Sequence, residues 1–429
     1  MLGYTDKAII TKRSYTHAWI VCMVGALYFF YMFIQITKFN AIGNAITTDF
    51  NLDATGLGTL SSAYFWGNVL FLLPAGMLLD RFSTKKLLAI VLFVAIIATL
   101  CFSFTTNIHT AFITLFFVGI AGAFGLTLPL RLASRWFPPE KMALTSGVII
   151  ACGFTGAMVG QSPLIWLVNQ VGWRHAMQMN VGLGVFFFVL MMIVIKDFPK
   201  GVTPGMMHEE ISGIKFVWHC FRQSVTNAQN WLFGLYTCFI NLPVFVFAAF
   251  GVSYLHQVRQ LSEIQAGFIM VIMFIGSIIG SPITGWISDK MKLRKAPMII
   301  AGFIGIVIIL AIMYLPSLSY LSAAVLFFAL GFIMAAQNIT YPVVAESSPE
   351  KLIGTSIGMA SILIMSGGAI FLPFFGWLLD FHHAGQMAGS IAAHSASDYM
   401  FALWMLPITF LIGTIAVMFG KETYCKRIV

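Results

Sequence analysis

Three polar side chains share one face of the first long apolar segment. Tyr31, Gln35 and Lys38 are spaced four and three residues apart, which places them on one stripe of a helix. A charge such as Lys38, deep in an apolar segment, is costly and usually faces a polar cavity. The trio therefore predicts a site for the carboxylate or phosphate of a solute. The alternative is a lysine whose ammonium snorkels to the membrane interface.

A second cation, Arg131, follows Pro129 near the end of the fourth apolar segment. Two fixed cations with few acids nearby favour an anionic or zwitterionic solute. The alternative role for Arg131 is to pair with an acidic residue in a gate. Further side chains in the second half of the chain could hydrogen-bond the solute or join neighbouring helices: Asn241, Gln337, Asn338 and Tyr341.

Proton coupling has one carboxylate candidate in the pattern. Glu346 lies at the inner end of the tenth apolar segment, closer to the membrane interior than the loop acids. It lies about 180° round a helix from Gln337, so it need not face the same cavity. An ion pair at the membrane surface is the alternative, and it is the favoured one.

Enzyme and metal chemistry are not indicated. The chain has no Walker loop and no Ser/His/Asp or paired-carboxylate set at a catalytic spacing, so we expect neither ATP use nor catalysis. His382, His383 and His394 crowd the last outer loop without cysteine support, which predicts a solvated loop and not a metal site. We expect no cofactor.

The elements that position these residues are membrane-spanning helices. Of the 429 residues, 59% are hydrophobic and only 9% are charged, with a mean hydropathy of +0.91. Soluble domains carry about a quarter charged residues, so this surface must face lipid. An α-helix needs about 20 apolar residues to span a bilayer. Twelve such runs are found, at about 18–46, 56–79, 86–104, 109–134, 142–168, 173–196, 230–256, 264–288, 296–314, 320–345, 353–379 and 398–420.

Basic residues predict the orientation. Of the 24 Lys and Arg residues, twenty fall at the segment ends and loops on the side of the termini, and only Arg174 and Arg259 fall in loops of the other side. Cytoplasmic loops carry such an excess, so both termini are predicted to be cytoplasmic. The net charge of +9 is thus an orientation signal and not a nucleic-acid footprint.

The two halves of the chain resemble each other. The run Gly76–Arg81, followed by Lys85 and Lys86, recurs 209 positions later as Gly285–Lys290, followed by Arg294 and Lys295. Tandem duplication is common among secondary transporters. We therefore predict two pseudo-symmetric six-helix bundles, at 1–196 and 230–429, joined by a cytoplasmic linker at 197–229.

The repeated run resembles the loop after the second helix in the major facilitator superfamily, G-x-x-x-D-R/K-x-G-R/K-K, with Ser83 in place of the second glycine. An aspartate at a helix end pairs with basic residues and with a neighbouring helix dipole, which makes a latch. The alternative is a basic loop that sets only orientation. The resemblance implies gating roles for Asp80, Arg81, Lys85, Arg135, Asp289, Lys290 and Arg294.

Shorter segments, among them Arg131–Glu140 and Gly251–Leu255, resemble a bacterial branch of the superfamily. That branch is similar to lysosomal dipeptide transporters and to phagosomal nutrient and siderophore transporters of intracellular bacteria. The resemblance implies proton-coupled uptake by alternating access, in a monomer of the bacterial cytoplasmic membrane. The solute would be an amino acid, peptide, carboxylate or siderophore. The alternatives are an efflux pump, which the 41 Phe and 24 Met residues would suit, and a membrane sensor.

Overall fold

The computed structural model describes residues 12–137, 141–198, 222–316, 318–349, 352–384 and 394–426. Twelve helical segments in this part of the chain are long and apolar enough to cross a membrane. The predicted fold class, an all-α membrane protein with twelve spans, is therefore confirmed. Most of the predicted linker, 197–229, falls outside the described residues.

The described part of the first half contains nine helices. They are α1 (Lys12–Thr37), α2 (Phe39–Phe50), α3 (Ala54–Arg81), α4 (Thr84–Phe104), α5 (Ile108–Gly122), α6 (Thr127–Trp136), α7 (Met142–Val159), α8 (Ser162–Val171) and α9 (Trp173–Val194). Helix α1 forms span 1 and α2 continues it. Span 2 is α3, span 3 is α4, span 4 is α5 with α6, span 5 is α7 with α8, and span 6 is α9.

The elements assigned in the described residues of the second half are eight α-helices and one 3₁₀ segment. They are α10 (Ala228–Arg259), α11 (Glu263–Met291), α12 (Lys295–Tyr314), α13 (Tyr320–Met334), the 3₁₀ segment (Ala335–Ile339), α14 (Thr340–Glu346), α15 (Ile353–Ala384), α16 (Ala396–Leu403) and α17 (Met405–Phe419). Spans 7, 8 and 9 are α10, α11 and α12. Span 10 runs from α13 to α14, span 11 is α15, and span 12 is α16 with α17.

Side-chain caps fix where many of these helices begin. An Asp, Asn or Ser side chain accepts a hydrogen bond from a backbone amide in the first turn, which stabilises a helix start by about 1 kcal/mol. Such caps stand at Asp53, Ser83, Asn107, Asn227, Ser262, Ser319 and Ser395. The short loops therefore set the helix register on both sides of the membrane.

Among the described residues, the core is continuous across the halves at one end of the bundle and divided at the other. We call the end that bears the chain termini the terminal face, and the opposite end the far face. Buried residues of the first half near the far face, such as Phe39, Leu60 and Ala157, belong to one cluster with the second-half core. Buried residues nearer the terminal face, such as Val21 and Leu132, form a separate cluster confined to the first half.

Glycine contacts between spans 2 and 11 show the same asymmetry. Near the far face, a Cβ added at Gly58 would lie 2.4 Å from the carbonyl oxygen of Leu372, and one added at Gly376 would lie 2.2 Å from that of Ala54. Near the terminal face of the same two helices, a Cβ at Gly76 or Gly354 would meet no described atom within 4 Å. The halves are therefore closed at the far face and parted at the terminal face.

Candidate solute site between the halves

Spans 4 and 10 are broken at corresponding positions of the two halves. In span 4, α5 ends at Gly122 and α6 begins at Thr127, with turns between them. In span 10, the 3₁₀ segment separates α13 from α14, about 210 positions later in the chain, which is the offset of the sequence repeat. Broken helices at equivalent positions of two repeats are a pointer to the solute site of a secondary transporter.

The break in span 10 carries two amide side chains. The Nδ2 of Asn338 donates to the Oγ of Ser281 on span 8 at 2.9 Å, and the Nε2 of Gln337 donates to the Oδ1 of Asn241 on span 7 at 3.0 Å. The Oε1 of Gln337 is buried without a hydrogen-bond partner in the described part of the chain. Tyr341, one turn further along span 10, packs partly buried against the core. Among the described residues, Gln337 thus keeps one unpaired acceptor at the break in span 10.

Helix α6, which follows the break in span 4 and leads to the terminal face, is polar along one side. Thr127 and Ser134 are exposed and Arg131 is half-buried, whereas Leu128 and Leu132 on the other side are buried. The three polar residues are spaced four and three apart and share a face. A cationic face within a span is tolerated where it lines water and not lipid. Arg131 therefore fits a position on a hydrated path open to the terminal face.

The trio of Tyr31, Gln35 and Lys38 lies elsewhere, inside the first bundle. The Nζ of Lys38 is fully buried, donates to the Oε1 of Gln35 at 2.9 Å and stands 4.7 Å from the ring centroid of Phe102 on span 3. Tyr31 packs edge-on against Phe187 of span 6. The shared face of the trio exists, as the spacing predicts, but it is turned towards spans 3 and 6 and not towards the other half.

Asn40 shows where the inter-half face of span 1 lies. Its Nδ2 donates to the carbonyl oxygen of Phe247 on span 7 at 2.7 Å and to the Oε1 of Gln161 on span 5 at 2.8 Å. Its Oδ1 accepts from the amide of Val252 at 3.3 Å. Asn40 follows Lys38 by two residues, or about 200° round the helix. Asn40 was not predicted as a site residue; the signal available in the sequence was an amide side chain within an apolar run.

The comparisons with known proteins decide the family. A family model described as Major Facilitator Superfamily matches residues 23–373. The chain belongs to the major facilitator superfamily. Its fold agrees, because it superimposes with a TM-score of 0.76 and 15% identity on a solved bacterial homologue of the human lysosomal transporter Spinster, over 94% of this chain and 97% of that one. Superfamily members of this kind are transporters and not enzymes.

Curated relatives in the superfamily are similar over most of their length. The probable galactarate/D-glucarate transporter GudP of Escherichia coli K12 is 25% identical, over 82% of this chain and 84% of its own. The D-galactonate transporter of Escherichia coli O6:H1 is 25% identical, over 75% and 80%. The hexuronate transporter of Bacillus subtilis is 24% identical, over 82% and 86%.

The superfamily loop motif lies at the terminal face, where each half has a polar cluster of its own. In the first half, the Oδ1 of Asp197 accepts from the backbone amide of Lys85 at 2.9 Å and lies 3.5 Å from the Nη1 of Arg135. Ser83 also bonds to Asp197. The side chains of Asp80 and Arg81, which the motif singles out, lie outside the described part of the structure.

The second-half cluster is centred on Arg294. Its Nη1 lies 2.7 Å from the Oδ1 of Asp289, and its Nη2 lies 2.7 Å from the Oε1 of Glu346. Burial disfavours the guanidinium charge, but the hydrogen bonds to Glu346 and Asp289 outweigh it and raise the pKa of Arg294 above its ordinary value. Lys290 stands over the Trp286 ring, 4.8 Å from its centroid. Glu346 thus lies in an ion pair, which the sequence favoured as the alternative to proton coupling.

The histidines near the far face differ from the solvated loop that was predicted. His382 and His383 place their Nδ1 atoms 2.7 and 3.1 Å from the carboxylate oxygens of Asp398, which is fully buried. His394 places its Nε2 3.0 Å from the Oδ1 of Asp380. The prediction was wrong because both partner carboxylates lie 14–16 residues from their histidines, on the other side of the segment that joins spans 11 and 12. The described residues contain no group of three or more ligands arranged for a metal ion.

Proposed function

We propose that this chain carries a small polyhydroxy carboxylate, of the sugar-acid class, across the bacterial cytoplasmic membrane by alternating access. Arg131 binds the carboxylate, and the amides of Gln337, Asn338 and Asn241 bind hydroxyl groups. The terminal face is cytoplasmic, so the structure represents the inward-open state. Transport is uptake coupled to protons.

The cationic face of α6 carries the proposal. A guanidinium is the side chain best suited to a carboxylate, which it binds through two parallel hydrogen bonds. The orphaned acceptor of Gln337 and the neighbouring amides suit the hydroxyls of a polar solute better than a lipophilic one.

The relatives support the same class of solute. The names of three of them specify galactarate/D-glucarate, D-galactonate and hexuronate. All of these are carboxylates with several hydroxyl groups. They favour a sugar acid over the amino acids, peptides and siderophores that the sequence left open.

Ligand-induced stabilisation of the purified protein tests the proposal. D-glucarate, galactarate, D-galactonate and D-glucuronate are compared with the neutral sugars glucose and galactose, a dipeptide and a lipophilic cation. A ligand at about 100 times its dissociation constant stabilises the native state by about 2.7 kcal/mol, which is measurable as a rise in melting temperature. We expect a rise with one or more sugar acids only. A rise with the lipophilic cation alone would instead favour efflux.

Arg131→Gln supplies the residue-level test. Loss of a charge-assisted hydrogen bond costs about 1.5–3 kcal/mol, so we expect affinity for the sugar acid to fall about tenfold to a hundredfold. Arg222→Gln is the matched control, because Arg222 is an exposed arginine outside the spans. Equal affinities of Arg131→Gln and wild type would contradict the assignment of the anion site.

A further inference from the structure

We propose that Asp380 is the proton-binding residue of the far gate, so that opening the far face takes up a proton on its carboxylate and closing releases it. The inference rests on the proposed alternating access. It adds a group through which protons act on the far gate, together with the atoms that bind it, neither of which the sequence identified.

Asp380 joins the two halves through the first residues of a helix. It belongs to α15 in the second half, yet its Oδ1 accepts from the amide of Ala54 at 3.1 Å and its Oδ2 from the amide of Thr55 at 2.6 Å. The hydroxyl of Thr55 donates to the same Oδ2 at 2.5 Å. These donors begin α3 in the first half. A carboxylate at a helix N-terminus is stabilised by the amides and by the helix dipole, and both act on its charged form.

Apart from Glu263, the other carboxylates in the described part of the chain form their hydrogen bonds within one half, so a movement of the halves leaves those contacts intact. Asp197 bonds to spans and loops of the first half, whereas Glu346 and Asp398 bond within the second. Glu263 does reach across, through one hydrogen bond of 2.9 Å from the exposed Asn44. Asp380 differs because three donors of the opposite half converge on it.

This geometry links the proton to the conformation. With the far face closed, the charged carboxylate accepts three hydrogen bonds that a neutral carboxyl would accept less well, and its own proton would face amide donors. With the halves apart, those donors are withdrawn and the neutral form is no longer penalised. Proton binding and far-face opening must then favour each other reciprocally. The step balances: on opening, one carboxylate and one proton from the far-face medium give one carboxyl, and closing returns that proton to the same medium.

The neighbouring titratable groups set the form of the pH response. On the second half, His394 bonds to the Oδ1 of Asp380 at 3.0 Å, and the ring of His383 packs at a tilt against that of His394 with centroids 5.3 Å apart. On the first half, the exposed Asp53 caps the same helix by accepting from Gly56. A protonated His394 would favour the Asp380 carboxylate, so it shifts the pH at which the gate responds without replacing the carboxylate.

Distances across the far face test the inference without knowledge of the solute. Spin labels are attached at Thr106→Cys and Pro316→Cys, which are exposed far-face loop residues in opposite halves, in a variant whose six native cysteines are replaced. Pulsed electron paramagnetic resonance then measures the distance between the two labels in nanodiscs, at a series of pH values from 8 to 5. We expect the wild type to gain a longer, far-open distance as the pH falls.

In Asp380→Asn, the amide imitates the neutral carboxyl. We expect the far-open population of this variant at pH 8 to be about ten times that of the wild type, and we expect it not to change further with pH. Asp53→Asn is the matched control, because it caps the same helix from within its own half, and it should keep the wild-type response. His394→Gln should move the midpoint of the response. If Asp380→Asn folds poorly, Thr55→Val removes one donor and should raise the far-open population by a smaller factor.

A wild-type pH response in Asp380→Asn would overturn the inference. So would a far face that ignores pH while sugar-acid transport proceeds, and in that case the proposed function would survive. A far face that opens with pH, in a protein that binds no sugar acid, would leave the gate standing and refute the proposed solute.

Discussion

Gly376→Ala should wedge the far face open. A Cβ at this position would lie 2.2 Å from the carbonyl oxygen of Ala54 and 2.9 Å from the Cα of Thr55. Both are backbone atoms of the opposite half, so no side chain can turn aside. Relief to an ordinary contact of 3.4 Å requires the helices to separate there by about 1.2 Å, the difference of 3.4 and 2.2.

The size of the effect follows from this separation. Overpacking of a tight contact costs about 1–3 kcal/mol. Because the cost falls on the far-closed state alone, the ratio of far-open to far-closed molecules should rise about 5-fold to 150-fold. The spin labels at residues 106 and 316 measure this ratio directly. Gly58→Ala, with its Cβ 2.4 Å from the Leu372 carbonyl oxygen, should act in the same direction.

Gly354→Ala is the matched control for this experiment. It lies in the same helix, α15, and gains the same helix propensity of about 1 kcal/mol. A Cβ there would meet nothing described within 4 Å, so the distance distribution should stay that of the wild type. If Gly376→Ala also keeps the wild-type distribution, the backbone contact is not what holds the far face closed and the reasoning fails.

Three further substitutions test the terminal-face cluster, the far-face ion pair and the buried amine. Glu346→Gln should lower the free energy of unfolding by about 3 kcal/mol, because it leaves the buried Arg294 with one fewer anion; unchanged thermal stability would refute this. The indole of Trp173 and the guanidinium of Arg174 hold the pKa of Asp49 below its ordinary value, so its stabilisation is complete at neutral pH and is lost as the pH falls through the lowered pKa. Asp49→Asn should therefore melt earlier than wild type at pH 7, and this deficit should shrink steadily as the pH is lowered into the acid range; a deficit that does not change with pH would exclude an ionic origin. Lys38→Met should melt at or above the wild-type temperature, because Lys38 is fully buried beside Gln35 and the Phe102 ring. If this variant instead loses sugar-acid binding, Lys38 is a residue of the solute site.

The twelve spans could be predicted from sequence because the bilayer imposes a length on each of them. The breaks at 123–126 and 335–339 could not. Residues 123–126 are as apolar as those around them, and the two amides at Gln337 and Asn338 do not by themselves indicate a 3₁₀ segment, because the change is a shift of backbone hydrogen bonds from i−4 to i−3. The order of polar and apolar residues shows where a hydrophobic stripe runs but not which neighbour it meets.

The residue-level predictions divide along the same line. The shared face of Tyr31, Gln35 and Lys38 followed from helical spacing, but the choice between the other half and spans 3 and 6 depended on packing that no spacing encodes. The ion pair of Glu346 could be predicted from the sequence because its partner, Arg294, belongs to the repeated motif. The role of Asp380 could not be predicted, because its partners at Ala54 and Thr55 lie more than 300 residues away in the chain.

The bare-backbone contact of Gly58 and Gly376 bears on how fast the far gate can shut. A gate closed by long side chains must freeze their rotamers at every closure, at a cost of up to about 2 kcal/mol for each long side chain. Glycine has no rotamers to freeze, so these two crossings close without that entropy loss and without a search among side-chain conformations. The closing rate should then be set by the swing of the two bundles and by proton departure, and it should vary little with the bulk of the solute left inside.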